Sequence, residues 1–435
     1  MDSNTENTAI GLYVCHLIAC ALRGEQAGDG SKPQRMAWRD VYTFAKRSSV
    51  EAITWVGLPG HPDDPIDEAT ATAWSHAADL TLLRQLTFDQ EREAIGRRLM
   101  DRGISFMALK GPHTCTYYPM PGMRSMSDND VMYAPLERDP ATGGFRVRGD
   151  NEKERASTLA QAERDVREVM TERGYAVTEE TKGDLSFARQ PFLLFEMVQN
   201  VVMPRNPHYR YYANPWRRTA PADPAAFKAR GCGEMRWPIE DEYVFHLSHM
   251  FKHYDEYGGC GIRFAVDEYV FLQAMRDADW AYVREQLRRL DLADFERRVK
   301  RAACLAFGDA SARHALDAED MAAGRIPLPG TEADARSDVE DLEFLRFLFS
   351  CGTYGTMEFK IRHDMEKTGT ASEHNRFAYV LERLFPSRAV LISTYPWLER
   401  KPWLIPLMPV YRLARGLRRN GGKIAMELRL LLGGK

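Results

Sequence analysis

The sequence predicts an α+β protein: a small mixed β-sheet core flanked by N-terminal and C-terminal helical regions. Three observations carry this. Apolar residues recur at helical spacing through most of the first hundred positions and again from about Pro238 almost to the end. Between these stretches lie short apolar runs of strand length, bounded by Gly or Pro. No repeat of fixed period and no low-complexity tract interrupts the pattern. The expected division is a helical region at 1–95, an α/β core at 96–215 and a second helical region at 216–435.

In chain order, residues 8–23 and 35–57 carry helical spacing, and Pro62 and Pro65 break it. Residues 71–102 form a long amphipathic helix, with Gly103 as its stop. The run ISFMALKG, ending at Gly111 before Pro112, reads as a buried strand. A turn or two of helix follows, up to Pro119–Gly122, and NDVMYAP reads as a second strand. Residues 136–155 are charged and glycine-rich, which predicts a loop. Residues 156–173 are helical and stop at Gly174. The runs YAVTEE, LSFARQ and FLLFEMVQNVV are extended, and the last places Glu196 in an otherwise apolar strand.

Composition narrows the function classes. The 435 residues are 28% charged and 44% hydrophobic, as in ordinary globular chains. A formal net charge of −3 gives no basic excess, so duplex nucleic acid is not an expected partner. Seven scattered cysteines without a Cys-x-x-Cys predict free thiols rather than a disulfide framework or zinc ribbon. The N-terminus lacks a basic start and a small-residue cleavage site, and no uninterrupted apolar run reaches the length of a spanning helix. The expectation is a cytoplasmic protein. Its last 27 residues carry seven basic residues against a single acid, Glu427, interleaved with leucines. That pattern predicts either peripheral contact with an anionic membrane or a solvated terminal helix.

The chemistry concentrates at residues 108–135. Asp128 and Asp130 stand two apart at the start of a strand, so both point to one face. Two carboxylates side by side repel unless something positive lies between them. With Glu196 from a neighbouring strand they form the ligand pattern of a two-metal phosphoryl-transfer site, for two Mg²⁺ ions or Mn²⁺ in their place. Asp128 and Asp130 then bridge the metals, and Glu196 completes the set and serves as base toward an acceptor hydroxyl. Lys110 and Gly111, where strand turns to helix, favour phosphate. Lys110 or Arg124 adds charge-assisted contacts. Arg124 reads equally well as the structural partner of a carboxylate.

The stretch LKGPHTCTYYPMPGMRSMSDNDV resembles a family of nucleotidyltransferases within the polymerase-beta-like superfamily. The resemblance rests on Leu109, Lys110, Gly111, Tyr118, Pro119, Pro121, Gly122, Arg124, Asp128 and Asp130. It extends over roughly 70–420 through HLSHMFKHYDEYGGCGIRFAVDEYVFL, FLFSCGTYGT and the segment around TYPWLERKPWLIPLMPVYRL. It implies catalytic and metal-binding roles for Asp128, Asp130 and Glu196, and nucleotide contacts from Lys110, Gly111, Arg124 and Ser127. An NTP donor and a sugar- or glycan-related acceptor, as in surface polysaccharide synthesis, follow by resemblance alone. Two departures stand out. The superfamily's serine after Gly is Pro112 here, so Ser127 is the expected substitute. The family's Glu-x-His is Glu196-Met197-Val198, without the histidine.

His249 and His253 share a helix face at metal-ligand spacing, but Met250 replaces the glutamate of a His-Glu-x-x-His site. Core histidines or an acceptor cleft, shared with Arg263 and Asp267, is the reading. GGCGIRF lacks the register of a phosphate loop and predicts a tight turn between helices. NPHYRYYANPWRR mixes aromatics with arginines and reads as a base- or sugar-stacking loop or as plain surface. The leading expectation is an Mg²⁺-dependent nucleotidyltransferase. The alternative is a non-catalytic nucleotide-binding or scaffold protein that keeps the fold.

Overall fold

The computed structural model describes residues 3–181, 183–202, 206–256, 259–308 and 331–353, and then 355, 385–386, 388, 391–392, 395–399 and 401–412. The basic stretch 413–435, and with it most of the expected membrane-contacting segment, lies outside the described residues, as does Gly258 of the glycine-rich turn.

The chain opens with α1 (Ser3–Leu22), α2 (Trp38–Arg47) and α3 (Glu51–Val56), then α4 (Glu68–Met100). Asp67 starts α4 by accepting the Thr70 amide at 2.9 Å, satisfying one orphan donor of its first turn. Gly103, at φ +71°, makes the left-handed turn into β1 (Ser105–Leu109). A single turn, α5 (Gly111–Thr114), separates β1 from β2 (Asn129–Ala134). Residues 136–147 correct the loop expected there: β3 (Leu136–Arg138) and β4 (Phe145–Val147) pair antiparallel. The apolar ends Leu136 and Phe145 are buried, so two well-placed side chains anchor a hairpin in an otherwise polar stretch. Then come α6 (Glu152–Glu172), β5 (Ala176–Thr181), β6 (Asp184–Arg189) and β7 (Leu193–Val198).

These strands form one five-stranded sheet in the order β1-β2-β7-β6-β5. Only β2 and β7 pair in parallel, which makes the sheet mixed. The pleat then sorts the side chains. Val131, Tyr133, Phe195 and Met197 point to one face, where Phe88, Ile95 and Leu99 of α4 and Val166 and Val169 of α6 cover them. Met107, Leu109, Met132 and Val198 point to the other face. By the same alternation so do Asp130 and Glu196.

Past the sheet lie the short pair β8 (Ala220–Pro221) and β9 (Met235–Arg236), with α7 (Pro224–Arg230) between them. Helices α8 (Ile239–Glu256), α9 (Ile262–Ala274), α10 (Trp280–Arg289), α11 (Ala293–Phe307) and α12 (Glu332–Cys351) follow. The helices before and after the sheet share one core. Val14, Leu17 and Ile18 of α1 and Val41 and Phe44 of α2 pack with Ala265 and Val266 of α9, Val299 and Ala303 of α11, and Leu348 and Phe349 of α12. The Arg47 guanidinium donates to the Phe349 carbonyl at 3.1 Å, and Ser49 Oγ lies 2.7 Å from Thr353 Oγ1. Gly11 is required at its crossing, since a Cβ there meets the Phe349 ring at 2.5 Å.

Thr5–Leu22 is long and apolar enough, by length and composition, to cross a membrane, although Glu6, Asn7 and His16 interrupt its apolar run. Half of that window is buried, as the inner face of α1 in the helical core. All seven cysteines are buried free thiols.

Candidate active site

The carboxylates come together through strand register. Leu109 of β1 lies opposite Asp130, and Asp130 lies opposite Glu196 of β7. Asp128 precedes β2 by one residue and has the same parity. Lys110 leaves β1 with φ +56° and ψ −118°, a region non-glycine residues rarely adopt. That backbone turn carries its ammonium to 3.0 Å from Asp130 Oδ2.

The electrostatics of this wall are strained. Burial, then the neighbouring Asp130, pushes the Asp128 carboxyl above its ordinary value. Burial, then Asp130 and Asp128, pushes Glu196 up to about 8, and Glu196 shares a hydrogen bond with Asp130. Glu196 therefore keeps its proton to higher pH than an ordinary carboxyl does. Burial works against the charge on Lys110, but Asp130 and Asp128 outweigh it and the net shift is upward, so the ammonium stays charged. Asp184 at the start of β6 is a further carboxylate of the same sheet face, pushed up to about 6 by burial, with Asp130 adding to the rise. The sequence reading missed it; its only signal was a lone acid leading a half-buried strand.

The opposite wall is helical. His246, His249, Lys252 and His253 of α8 and Arg263, Phe264, Asp267 and Phe271 of α9 face the strands across a cavity of about 240 Å³. Arg124 and Asp267 form a two-pronged pair, with Nε–Oδ1 at 2.7 Å and Nη2–Oδ2 at 2.8 Å, and the Tyr118 hydroxyl donates to Oδ1 at 2.7 Å. Burial opposes both charges, but each partner holds the other ionised: Asp267 ends below the ordinary carboxylate range and Arg124 above its own. Arg263 donates to the Ser125 carbonyl at 3.0 Å and so pins the loop that delivers Asp128. The His249 and His253 rings meet at Nε2–Nε2 3.1 Å, one donating to the other. Burial, reinforced by Lys110, lowers both; His253 falls to about 3, and the pair is neutral at physiological pH.

The cavity lining also includes the aromatics Trp237, Phe245 and Phe271, with His113 and Glu242. Glu242 accepts from the Tyr117 hydroxyl at 2.6 Å and lies 3.4 Å from His113 Nδ1. Burial raises Glu242 to about 7 and lowers His113 to about 4.

The cavity brings together Lys110, Gly111, Arg124, Ser127, Asp128, Asp130, Glu196, His249, His253, Arg263 and Asp267, every site residue singled out from the sequence. Lys252 and His113, which also line it, were hidden in plain helical context. The aromatic–basic stretch goes elsewhere. Tyr211, Tyr212, Arg217 and Arg218 border a separate cavity of about 150 Å³ with Asp241, and Trp237 stands between the two. The glycine-rich turn serves packing: a Cβ on Gly261, at the start of α9, would lie 1.6 Å from the Gly352 carbonyl oxygen.

A family described as uncharacterised nucleotidyltransferase matches residues 34–149 and 160–308, more than half of the chain. The chain belongs to this family. Every residue named around the cavity falls within the matched ranges. No curated protein and no solved structure matches the chain.

The family's nucleotidyltransferase description raises the question of a divalent cation. Among the described residues no group of three or more His, Cys, Asp or Glu side chains is placed so that it could hold a metal ion. The chemistry of the donors, rather than their present placement, suits a divalent cation. Asp128, Asp130 and Glu196 are hard oxygen ligands on one face of adjacent strands. Their mutual repulsion is of the kind a cation relieves, and the Lys110 ammonium already stands against Asp130 as one positive charge.

Proposed function

We propose that the protein transfers a nucleoside monophosphate from an NTP to a hydroxyl or phosphate acceptor, in a Mg²⁺-dependent reaction. The observation that supports this most is the register Leu109–Asp130–Glu196, which sets three carboxylates and one lysine along a single cavity wall. In the reaction the acceptor oxygen bonds to the α-phosphorus, the bond to the α–β bridging oxygen breaks, and pyrophosphate leaves. Mg²⁺ bound at Asp128, Asp130 and Glu196 would neutralise phosphate charge. The chain's own work is positioning and electrostatics. Lys110 and Arg263 supply fixed positive charge toward the phosphates, and Arg124, committed to Asp267, holds the wall in place rather than reaching for substrate. Glu196, in its ionised form, takes the acceptor's proton.

Calorimetric titration with each NTP in Mg²⁺ tests the reading, with the Asp128→Ala, Asp130→Ala double variant beside wild type. Metal-dependent binding that disappears in the folded variant supports it. A folded wild type that binds no NTP sinks it and leaves the scaffold alternative.

A further inference from the structure

Residues 395–399 and 401–412 contain two short 3-10 helices, Pro396–Glu399 and Pro402–Leu407, the second running on into a helical turn, and they carry both buried and exposed apolar side chains. Leu398, Leu404, Ile405 and Met408 turn inward and pack with Leu391 into a small core of their own among the described residues. Trp403, Leu407 and Val410 turn outward and are 70%, 58% and 71% exposed. Beside them Trp397 and Tyr411, also exposed, set their rings edge to face at 6.3 Å between centroids. The inward set supplies the apolar contact that a surface segment of a globular domain needs. The outward set is additional apolar surface left in solvent within eight residues, and clustered exposed apolar side chains mark an interaction surface.

Charge selects the partner. Residues 400–435 hold nine Lys or Arg and a single acid, Glu427, while the whole chain carries −3. The remainder is therefore clearly acidic, and this end is the part an anionic surface attracts. Within the described residues Lys401 is exposed and Arg412 partly so, with Glu399 as the acidic exception. Trp and Tyr at the edge of an apolar face, among basic residues, match the boundary between lipid chains and headgroups, where an apolar ring body and a polar tip are both satisfied. We propose that residues 395–412 dock on an anionic lipid surface. Trp403, Leu407 and Val410 enter the headgroup–chain boundary, and the basic residues contact the headgroups.

The test is flotation of the full-length protein with phosphatidylcholine vesicles, with or without about a quarter phosphatidylglycerol. The expected result is recovery with the anionic vesicles alone, weakened by added salt as the attraction is screened. A Trp403→Ser, Leu407→Ser, Val410→Ser triple variant should lose at least about tenfold in bound fraction, with its thermal transition unchanged. Equal wild-type recovery with and without vesicles overturns the proposal. So does a folded triple variant that floats like wild type. A wild type that self-associates in solution through this face, without binding vesicles, assigns the face to a second copy and also overturns it. Should the triple variant not fold, Lys401→Glu decides: its recovery should fall about fivefold, and unchanged recovery rejects the lipid assignment.

Discussion

Arg124, Asp267 and Tyr118, and Lys110, Asp128, Asp130 and Glu196, are two groups of buried charge lining one cavity or packed behind its lining. The first is balanced. One cation meets one anion through two parallel hydrogen bonds, and a tyrosine completes the carboxylate. The second has three acids to one lysine, keeps a proton on Glu196 and puts Lys110 in a strained backbone conformation. A balanced group fixes structure. An unbalanced one is stable only because the surrounding sheet over-determines it, and it is the one with something to gain from a ligand.

The strongest way to break the comparison is to neutralise one member of each group. Asp130→Asn should lower nucleotidyl transfer by at least about 10³-fold, about 4 kcal/mol of barrier, while leaving the thermal transition in place or raising it. Retained turnover would place the chemistry elsewhere. Asp267→Ala should do the reverse. It strands the buried Arg124 guanidinium and should cost about 3–5 kcal/mol of stability in a denaturant titration. A loss of under about 1 kcal/mol would show that Arg124 had found water.

The pH dependence sharpens the contrast. Glu196 titrates near 8 in the folded chain against an ordinary 4.5. Between those values the unfolded chain has lost a proton that the folded chain keeps. The stability Glu196 contributes is thus fully present below 4.5 and is lost as pH rises through about 8, by at most about 1.4 kcal/mol per pH unit. Thermal melts of Glu196→Gln across this range should show a flatter decline than wild type. Glu242, raised to about 7, retains a decline of the same sign in the variant. Identical curves would mean that Glu196 is ionised throughout. The smallest effect serves as a scale. Asp67→Ala removes the N-cap of α4, far from either group, and should cost about 1 kcal/mol with nucleotide binding unchanged.

Much of this was legible in the chain. Asp128 and Asp130 at the mouth of an apolar strand, and Glu196 inside another, were readable because strand parity is local. The alternation that puts Val131 and Tyr133 inside also dictates where Asp130 points. The parallel pairing of β2 with β7 was not readable, since it depends on a crossover through residues 135–192 that periodicity does not encode. The partner of Arg124 was open for the same reason: Asp267 lies 143 residues away. The β3–β4 hairpin escaped because only Leu136 and Phe145 anchor it. The departure of Lys110 from ordinary backbone geometry had no signal, because a lysine before a glycine looks like any strand end.

The hydrogen bond from Arg47 to Phe349 joins residues 302 positions apart. During synthesis, at roughly 5–20 residues per second, α1 and α2 therefore wait about 15–60 s for the surface that completes their core. The five-stranded sheet, which draws its strands from 105–198, emerges well before that. The apolar faces of the first helices, Leu17 and Ile18 among them, stay uncovered in the interval. Any chaperone that attends this chain on the ribosome has its work there, on the first fifty residues rather than on the sheet that carries the site.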